Sequence, residues 1–220
     1  MKDVRMVRGI MREQLRANGA LWGLVGIFRL ILKTIKSKCV GWYLDAAEIN
    51  LGPGCHLSGV RFMRFGRDIA ARSNLWLEAV TSYGAQVFTP LIVIGDRVRF
   101  SDAVHITAIN RIEIGNDVLF GSRVFVSDHN HGSYAGIRQS SPDEAPTLRA
   151  LHSEGAVVIE DKVWIGDNVN IVGPVTIGFG SVIGANSVVR HDVPARTIFA
   201  GAPARLLKSF DTDSGQWRPA

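Results

Sequence analysis

The segment SDHNHGSY, residues 127–134, gathers the side chains of this chain best suited to proton transfer or metal binding. Histidine changes charge near neutral pH, so His129 or His131 can take a proton from a hydroxyl group. In an extended strand the two histidines share one face, and Asp128 and Asn130 share the other. That alternation also admits a metal pair, although a zinc site needs a third protein ligand, which only the fold could recruit from His105, His56 or His152. The plainest alternative is a set of polar residues capping a loop. Asp128 and Glu144 are near enough in sequence to orient an imidazole. Cys39 and Cys55 lie elsewhere, without C-x-x-C spacing, so neither offers a nucleophile beside the histidines, and a reducing cytoplasm fits them.

The elements that must carry this segment show in a period of six. An aliphatic residue returns at Ile159, Ile165, Ile171, Ile177, Ile183 and Val189, and the same phase runs through Ile94, Phe100 and Ile106, then Ile114, Phe120 and Val126. A helix repeats near 3.6 residues and a half-buried strand near 2, so a sustained six predicts stacked coils of short strands, a parallel β-helix. Gly166, Gly178 and Gly184 follow inward residues where a tight corner excludes a Cβ or demands unusual dihedrals. A degenerate echo at Phe65, Ala71 and Leu77 puts the start of the stack earlier.

A chain of 220 residues built on one repeat stack is one domain with one continuous core. Its formal charge of +5 is concentrated near the N-terminus, at Lys2, Arg5, Arg8, Arg12, Arg16, Arg29, Lys33, Lys36 and Lys38. That distribution suits phosphates or an anionic membrane better than sequence-specific nucleic-acid binding. Residues 1–40 read as helical, with Leu21, Leu24, Phe28, Leu32 and Ile35 on one stripe. This helix either packs on the solenoid or a neighbouring subunit, or lies on a membrane with Trp22 at headgroup level. The stretch is too short and too charged to span a bilayer. The β-helix domain is expected over 41–200, with an excursion loop over 130–156 in which Tyr134, Leu148 and Leu151 are anchors. Residues 201–220 are expected to form a short helix and a frayed tail.

The run VWIGDNVNIVGPVTIGFGSVIGANSVV, followed by DVPARTIFAGAPARLLK, closely resembles the C-terminal half of hexapeptide-repeat acyltransferases. The branch it looks like contains maltose and galactoside acetyltransferases, and DHNHGSY with SSPDEAP resembles relatives that O-acetylate cell-surface polysaccharides. The resemblance implies a left-handed β-helix, a homotrimer, and acetyl-coenzyme A meeting its acceptor between subunits, with one histidine as general base. The family's base matches His131, with His129 as the alternative. Ser101 stands where the family has an asparagine near the acceptor hydroxyl, so Asp102 is a further candidate there, with Asp128 and Tyr134 as other acceptor contacts.

By the same resemblance Trp164, Asp167 and Ala185 match positions along the coenzyme A groove. Arg190, His191, Arg205 and Lys208 match positions near its nucleotide phosphates, where charge-assisted contacts favour basic side chains. The function implied is acetyl transfer to a sugar hydroxyl, with no metal, on a free or lipid-linked glycan at the inner face of the cytoplasmic membrane. An amino sugar or a xenobiotic is the alternative acceptor. The rivals are a zinc-dependent hydratase on the same solenoid and a non-catalytic binding module.

Overall fold

All twelve residues that set the strict period of six are at most 2% exposed, and they fill the inside of a three-sided tube. The structure, a computed structural model, describes residues 48–220 continuously, together with the single positions 19, 24, 25, 28, 35, 38, 39, 41 and 42. One face is built from strands Ile49–Leu51, Ile69–Ala71, Arg99–Phe100, Leu119–Phe120, Trp164–Ile165, Val182–Ile183 and Thr197–Ala200. The second face carries His56–Ser58, Trp76–Ala79, His105–Ala108, Phe125–Ser127, Asn170–Val172 and Val188–Val189. The third carries Met63–Phe65, Leu91–Ile94, Arg111–Ile114, Val157–Ile159 and Val175–Ile177. Neighbouring strands in these stacks are parallel and each coil repeats the register of the last, so Leu119 faces both Arg99 and Trp164.

Strands of two to four residues have no stability alone, so their order comes from stacking. A second inward position, two residues before each period-setting one, completes the core: Val98, Val104, Val118, Val124, Val163 and Val169 are all buried. In the last coil Ser181 and Ser187 take these places, and each donates its hydroxyl to a backbone carbonyl, at Pro194 (2.7 Å) and Gly184 (2.6 Å). Buried hydroxyls are tolerated when paired in this way.

The corner glycines answer to space rather than to dihedral freedom. A Cβ on Gly166 would lie 2.7 Å from the backbone nitrogen of Ala185 in the next coil. The left-handed conformation falls two residues later instead, at Asn168 (φ 57°) and Asn186 (φ 60°), residue types that tolerate it. Carboxylates and amides tie one corner to the next. Ser73 donates its amide (3.1 Å) and its hydroxyl (2.5 Å) to Asp102, and Ser122 donates its amide to Asp167 (2.6 Å).

The expected C-terminal helix and frayed tail are not formed. Arg205–Asp211 runs antiparallel to Thr197–Ala200, and Gln216–Pro219 returns against it, so the first face gains two strands. The physical reason is the open edge that Thr197–Ala200 would leave at the end of the stack. Gly201, at φ 103°, lets the chain reverse and cover it. The hairpin's own turn is set by Asp211, which accepts from the Asp213 amide (3.0 Å) and the Ser214 hydroxyl (2.8 Å), and by Gly215 at φ 67°.

Two segments leave the tube at the corner between the second and third faces. Residues 80–90 carry the hairpin Ser82–Tyr83 with Gln86–Val87, and the longer excursion is closed at its base by Asn130–His131 antiparallel to Leu151–His152. Leu151 is buried as expected of an anchor, whereas Leu148 is exposed and anchors nothing. The isolated positions described before residue 43 are helical. The remainder of the expected N-terminal helix, including Leu21, Trp22 and Leu32, lies outside the described residues. Among the described residues no helix is long and apolar enough to cross a membrane.

Candidate active site

Asp128 and His129 follow directly on the second-face strand Phe125–Ser127, where the coil yields to the excursion. Asp128 is fully buried, and its carboxylate accepts four hydrogen bonds. The amide of Ile109 (3.0 Å) and Nδ1 of His129 (2.9 Å) reach Oδ1, while the amides of Asn110 (2.8 Å) and Arg111 (2.7 Å) reach Oδ2. A carboxylate that only accepts requires the proton on Nδ1, so Nε2 of a neutral His129 carries the lone pair. Ser127 holds the histidine's backbone, accepting from its amide (3.2 Å) and donating to its carbonyl (2.9 Å). The His129 side chain is 9% exposed, and Nε2 has no hydrogen-bond partner among the described residues.

His131 is placed differently. Its ring is exposed and packs edge-on against Tyr83, with centroids 5.2 Å apart, and its carbonyl accepts from the Tyr134 hydroxyl (2.6 Å). Arg149 donates to that same hydroxyl (2.9 Å). The two excursions are zipped together here. Gln86 bonds both the carbonyl (3.0 Å) and the amide (2.7 Å) of Leu151 with its side-chain amide, and Tyr83 donates to the Thr147 carbonyl (2.7 Å). Tyr83 and Gln86 are absent from the sequence-based site, since nothing in their spacing links them to residues about sixty positions later. Burial removes Asp128 from the candidate acceptor contacts and leaves it to orient the imidazole, while Glu144 is exposed in the loop and makes no contact with either ring.

The outer surface of the second face borders this pair. His105 is half-buried there, stacked on Trp76 (4.3 Å between centroids), with Nε2 buried and unpartnered. Desolvation holds its pKa below the usual histidine range, partly opposed by Glu78 and assisted by the nearby His129. Among the described residues no three His, Cys, Asp or Glu side chains assemble into a site that could hold a metal ion, so the three-histidine arrangement of the zinc reading is not formed there.

Ser101 and Asp102 stand at the corner between the first and second faces. They line an open cavity of about 960 Å³ with Asn50, Arg72, Arg99 and Leu119. The Asp102 pKa is lowered chiefly by the Ser73 hydroxyl and amide, so its carboxylate is engaged in the scaffold. Further along the first face Trp164, Asp167 and Ala185 line a groove of about 280 Å³ with Gly166 and Gly184, residues too small to fill it. Trp164, Val182, Ile198 and Lys208 are successive partners in one row across four strands, which carries Lys208 about 14 Å from Trp164 at ordinary strand spacing. Arg205 lies on the same added strand, opposite Ala200. Arg190 and His191 are exposed at the other corner, between the second and third faces, and the structure does not bring them to the Trp164 groove.

A tube of this repeat, with a buried Asp–His pair at one corner and a small-residue groove at another, defines the hexapeptide-repeat class. The family described as "Bacterial transferase hexapeptide (six repeats)" matches residues 156–191. Over 200 residues the chain is 36% identical to the "Putative lipopolysaccharide biosynthesis O-acetyl transferase WbbJ" of Escherichia coli K12, covering 90% of this chain and 96% of that one. It is 30% identical over 140 residues to the galactoside O-acetyltransferase of the same organism, covering 63% and 62%. A hexapeptide-repeat acetyltransferase from Vibrio cholerae, solved with acetyl-coenzyme A, superposes with a TM-score of 0.50 at 25% identity, covering 95% of this chain and 90% of that one. The chain belongs to the hexapeptide-repeat acetyltransferase family, as its match over nearly the whole length of the lipopolysaccharide O-acetyl transferase shows.

Proposed function

We propose that this acetyltransferase moves the acetyl group of acetyl-coenzyme A to a saccharide hydroxyl during construction of a cell-surface polysaccharide, with His129 as general base. The observation that carries the reading is the Asp128–His129 pair, which fixes one ring nitrogen and leaves the other free. His131, the first match by family resemblance, has its ring against Tyr83 and no carboxylate partner, which favours a role in holding the excursion. Likeness to the lipopolysaccharide O-acetyl transferase supports the acceptor class.

In the proposed mechanism Nε2 of neutral His129 removes the hydroxyl proton as the oxygen attacks the thioester carbonyl. The tetrahedral intermediate collapses with cleavage of the C–S bond, and the imidazolium returns its proton to the departing thiolate. Asp128 stabilises the imidazolium and keeps its orientation, as the acid of a catalytic triad does. No acyl-enzyme is formed. Trp164, Gly166, Asp167 and Ala185 form a groove open enough for a thin pantetheine arm, and Arg205 and Lys208 lie on the added strands near its end, where phosphates would need charge.

The histidine pair and this groove occupy different corners of one chain, which supports a site completed by the corner of a neighbouring copy in a left-handed, trimeric assembly. A lipid-linked acceptor at the cytoplasmic membrane face is further supported by the N-terminal segment. Leu24, Phe28, Ile35 and Trp42 are helical, 55–88% exposed, and spaced at four, seven and seven residues, the spacing that puts apolar residues on one stripe of a helix. Residues 1–42 hold nine Lys and Arg against Asp3 and Glu13. Each cation near an anionic surface contributes about 1 kcal/mol. Incubation with acetyl-coenzyme A and a panel of saccharides, following thiol release, tests the reaction. Release that depends on a hydroxyl-bearing glycan supports it, and release only with amines would replace it with N-acetylation.

A further inference from the structure

We propose that the outer surface of the second face is a saccharide track that feeds a neutral glycan chain of several sugar units to His129; this rests on the O-acetyl transfer reading above. Its core is a ladder of four rings. His56, Trp76, His105 and Phe125 each precede an inward residue by one position, so all four point outward, and they are in register on successive coils. Their centroids are 5.9, 4.3 and 5.3 Å apart, with Trp76 and His105 stacked nearly parallel at 15° and the other two contacts edge-on. At ordinary strand spacing the ladder runs about 14 Å along the tube, longer than one sugar ring.

Trp76 and His56 are the exposed members, and Trp76 is 43% accessible although gripped between two rings, so its orientation is fixed before any ligand arrives. A large ring held rigid at a wet surface offers contact area at little entropic cost. The C–H faces of sugar rings pack on such surfaces, and their hydroxyls need hydrogen-bonding groups alongside. The row beside them supplies those at Ser58 and Glu78, which are partly exposed, and continues in register to Thr107 and Ser127, which are buried. The Glu78 carboxylate is half-exposed and makes no hydrogen bond or ion pair with any described residue, so it can accept from hydroxyls and would repel an acidic sugar.

The track also ends in the right place. Ser127 closes the row and holds the His129 backbone, and His105 is close enough to both Glu78 and His129 for their charges to interact. A purely apolar partner would strand Glu78, and a second copy of this chain would set like histidines and carboxylates against one another unless the faces were offset. A glycan satisfies both rows.

The test compares the full-length protein with Trp76→Ala and Trp76→Phe, using neutral short oligosaccharides and the matching monosaccharides as acceptors. Losing the ring should raise KM for the oligosaccharide about tenfold or more, as loss of one aromatic contact surface predicts, with monosaccharide and acetyl-coenzyme A KM nearly unchanged. Phe should recover most of the loss. Equal losses for both acceptors, or unchanged oligosaccharide KM, overturn the track. Light scattering on the same variants reads the competing picture, since dissociation of the assembly by Trp76→Ala would make this face a subunit contact. Calorimetric titration of the same glycans needs no turnover and so separates the two claims. Oligosaccharide binding lost in Trp76→Ala upholds the track even if no acetyl transfer occurs, and absence of binding to the unaltered protein ends it.

Discussion

Replacing Asp128 with Asn tests the orientation argument at a single atom pair. Asparagine keeps the shape of the side chain but has one accepting oxygen where aspartate has two. With that oxygen toward Asn110 and Arg111, both backbone bonds survive and the amide NH2 faces the Ile109 amide and Nδ1 of His129. The imidazole then relieves the clash by surrendering its Nδ1 proton, which moves to Nε2, and the ring can no longer accept a proton from substrate. The reverse orientation preserves the tautomer but strands two buried backbone donors instead of one. Each stranded donor costs about 1–3 kcal/mol, so the first orientation is favoured. Turnover should fall by about 10²- to 10⁴-fold, the range for losing general-base function. The one unpaired amide should lower Tm by a few to about 10 °C for a chain of this size. Thiol release gives kcat and calorimetry gives Tm, with KM for acetyl-coenzyme A expected to stay near its original value. A lowered Tm with kcat within about threefold of the unaltered enzyme would refute the reasoning and reduce the pair to a structural cap.

Three further outcomes are expected. His131→Ala should leave kcat within a few-fold while weakening the join between excursions, visible as faster proteolysis within 132–150, because Tyr83 loses its partner ring. Neutralising Arg205 and Lys208 together should raise KM for acetyl-coenzyme A more than it lowers kcat, since phosphate contacts serve ground and transition states alike. His105 has a lowered folded-state pKa, so the unfolded chain binds its proton more readily. Its contribution is intact above the ordinary histidine value near 6.5 and is lost as pH falls from there through the folded value. The unaltered protein should therefore lose Tm over that window more steeply than His105→Phe, and parallel Tm profiles would remove His105 as the cause.

The solenoid was legible because every coil repeats one burial decision, and all twelve strict period-six positions are inward. The aromatic ladder was legible in principle too, since Trp76, His105 and Phe125 share the phase one residue before an inward position. The C-terminal hairpin was not, because RLLKSFD takes its conformation from the open edge of Thr197–Ala200 rather than from its own pattern. The choice between His129 and His131 was equally hidden. It turns on backbone amides of Ile109, Asn110 and Arg111, one coil earlier, and on Tyr83 and Gln86, which reach the excursion from more than sixty residues away. Spacing along the chain carries no trace of either. The split of the cofactor candidates follows the same rule, since only coiling reveals that Arg190 and Lys208 face different corners.

The central claim is that His129 takes a proton from a sugar hydroxyl as the oxygen attacks the thioester. Its most direct test is His129→Ala assayed twice, by acetyl transfer to a glycan acceptor and by coenzyme A binding. The account predicts a fall in kcat of at least about a hundredfold with coenzyme A affinity unchanged. Transfer that persists within a few-fold of the original rate in His129→Ala would contradict it.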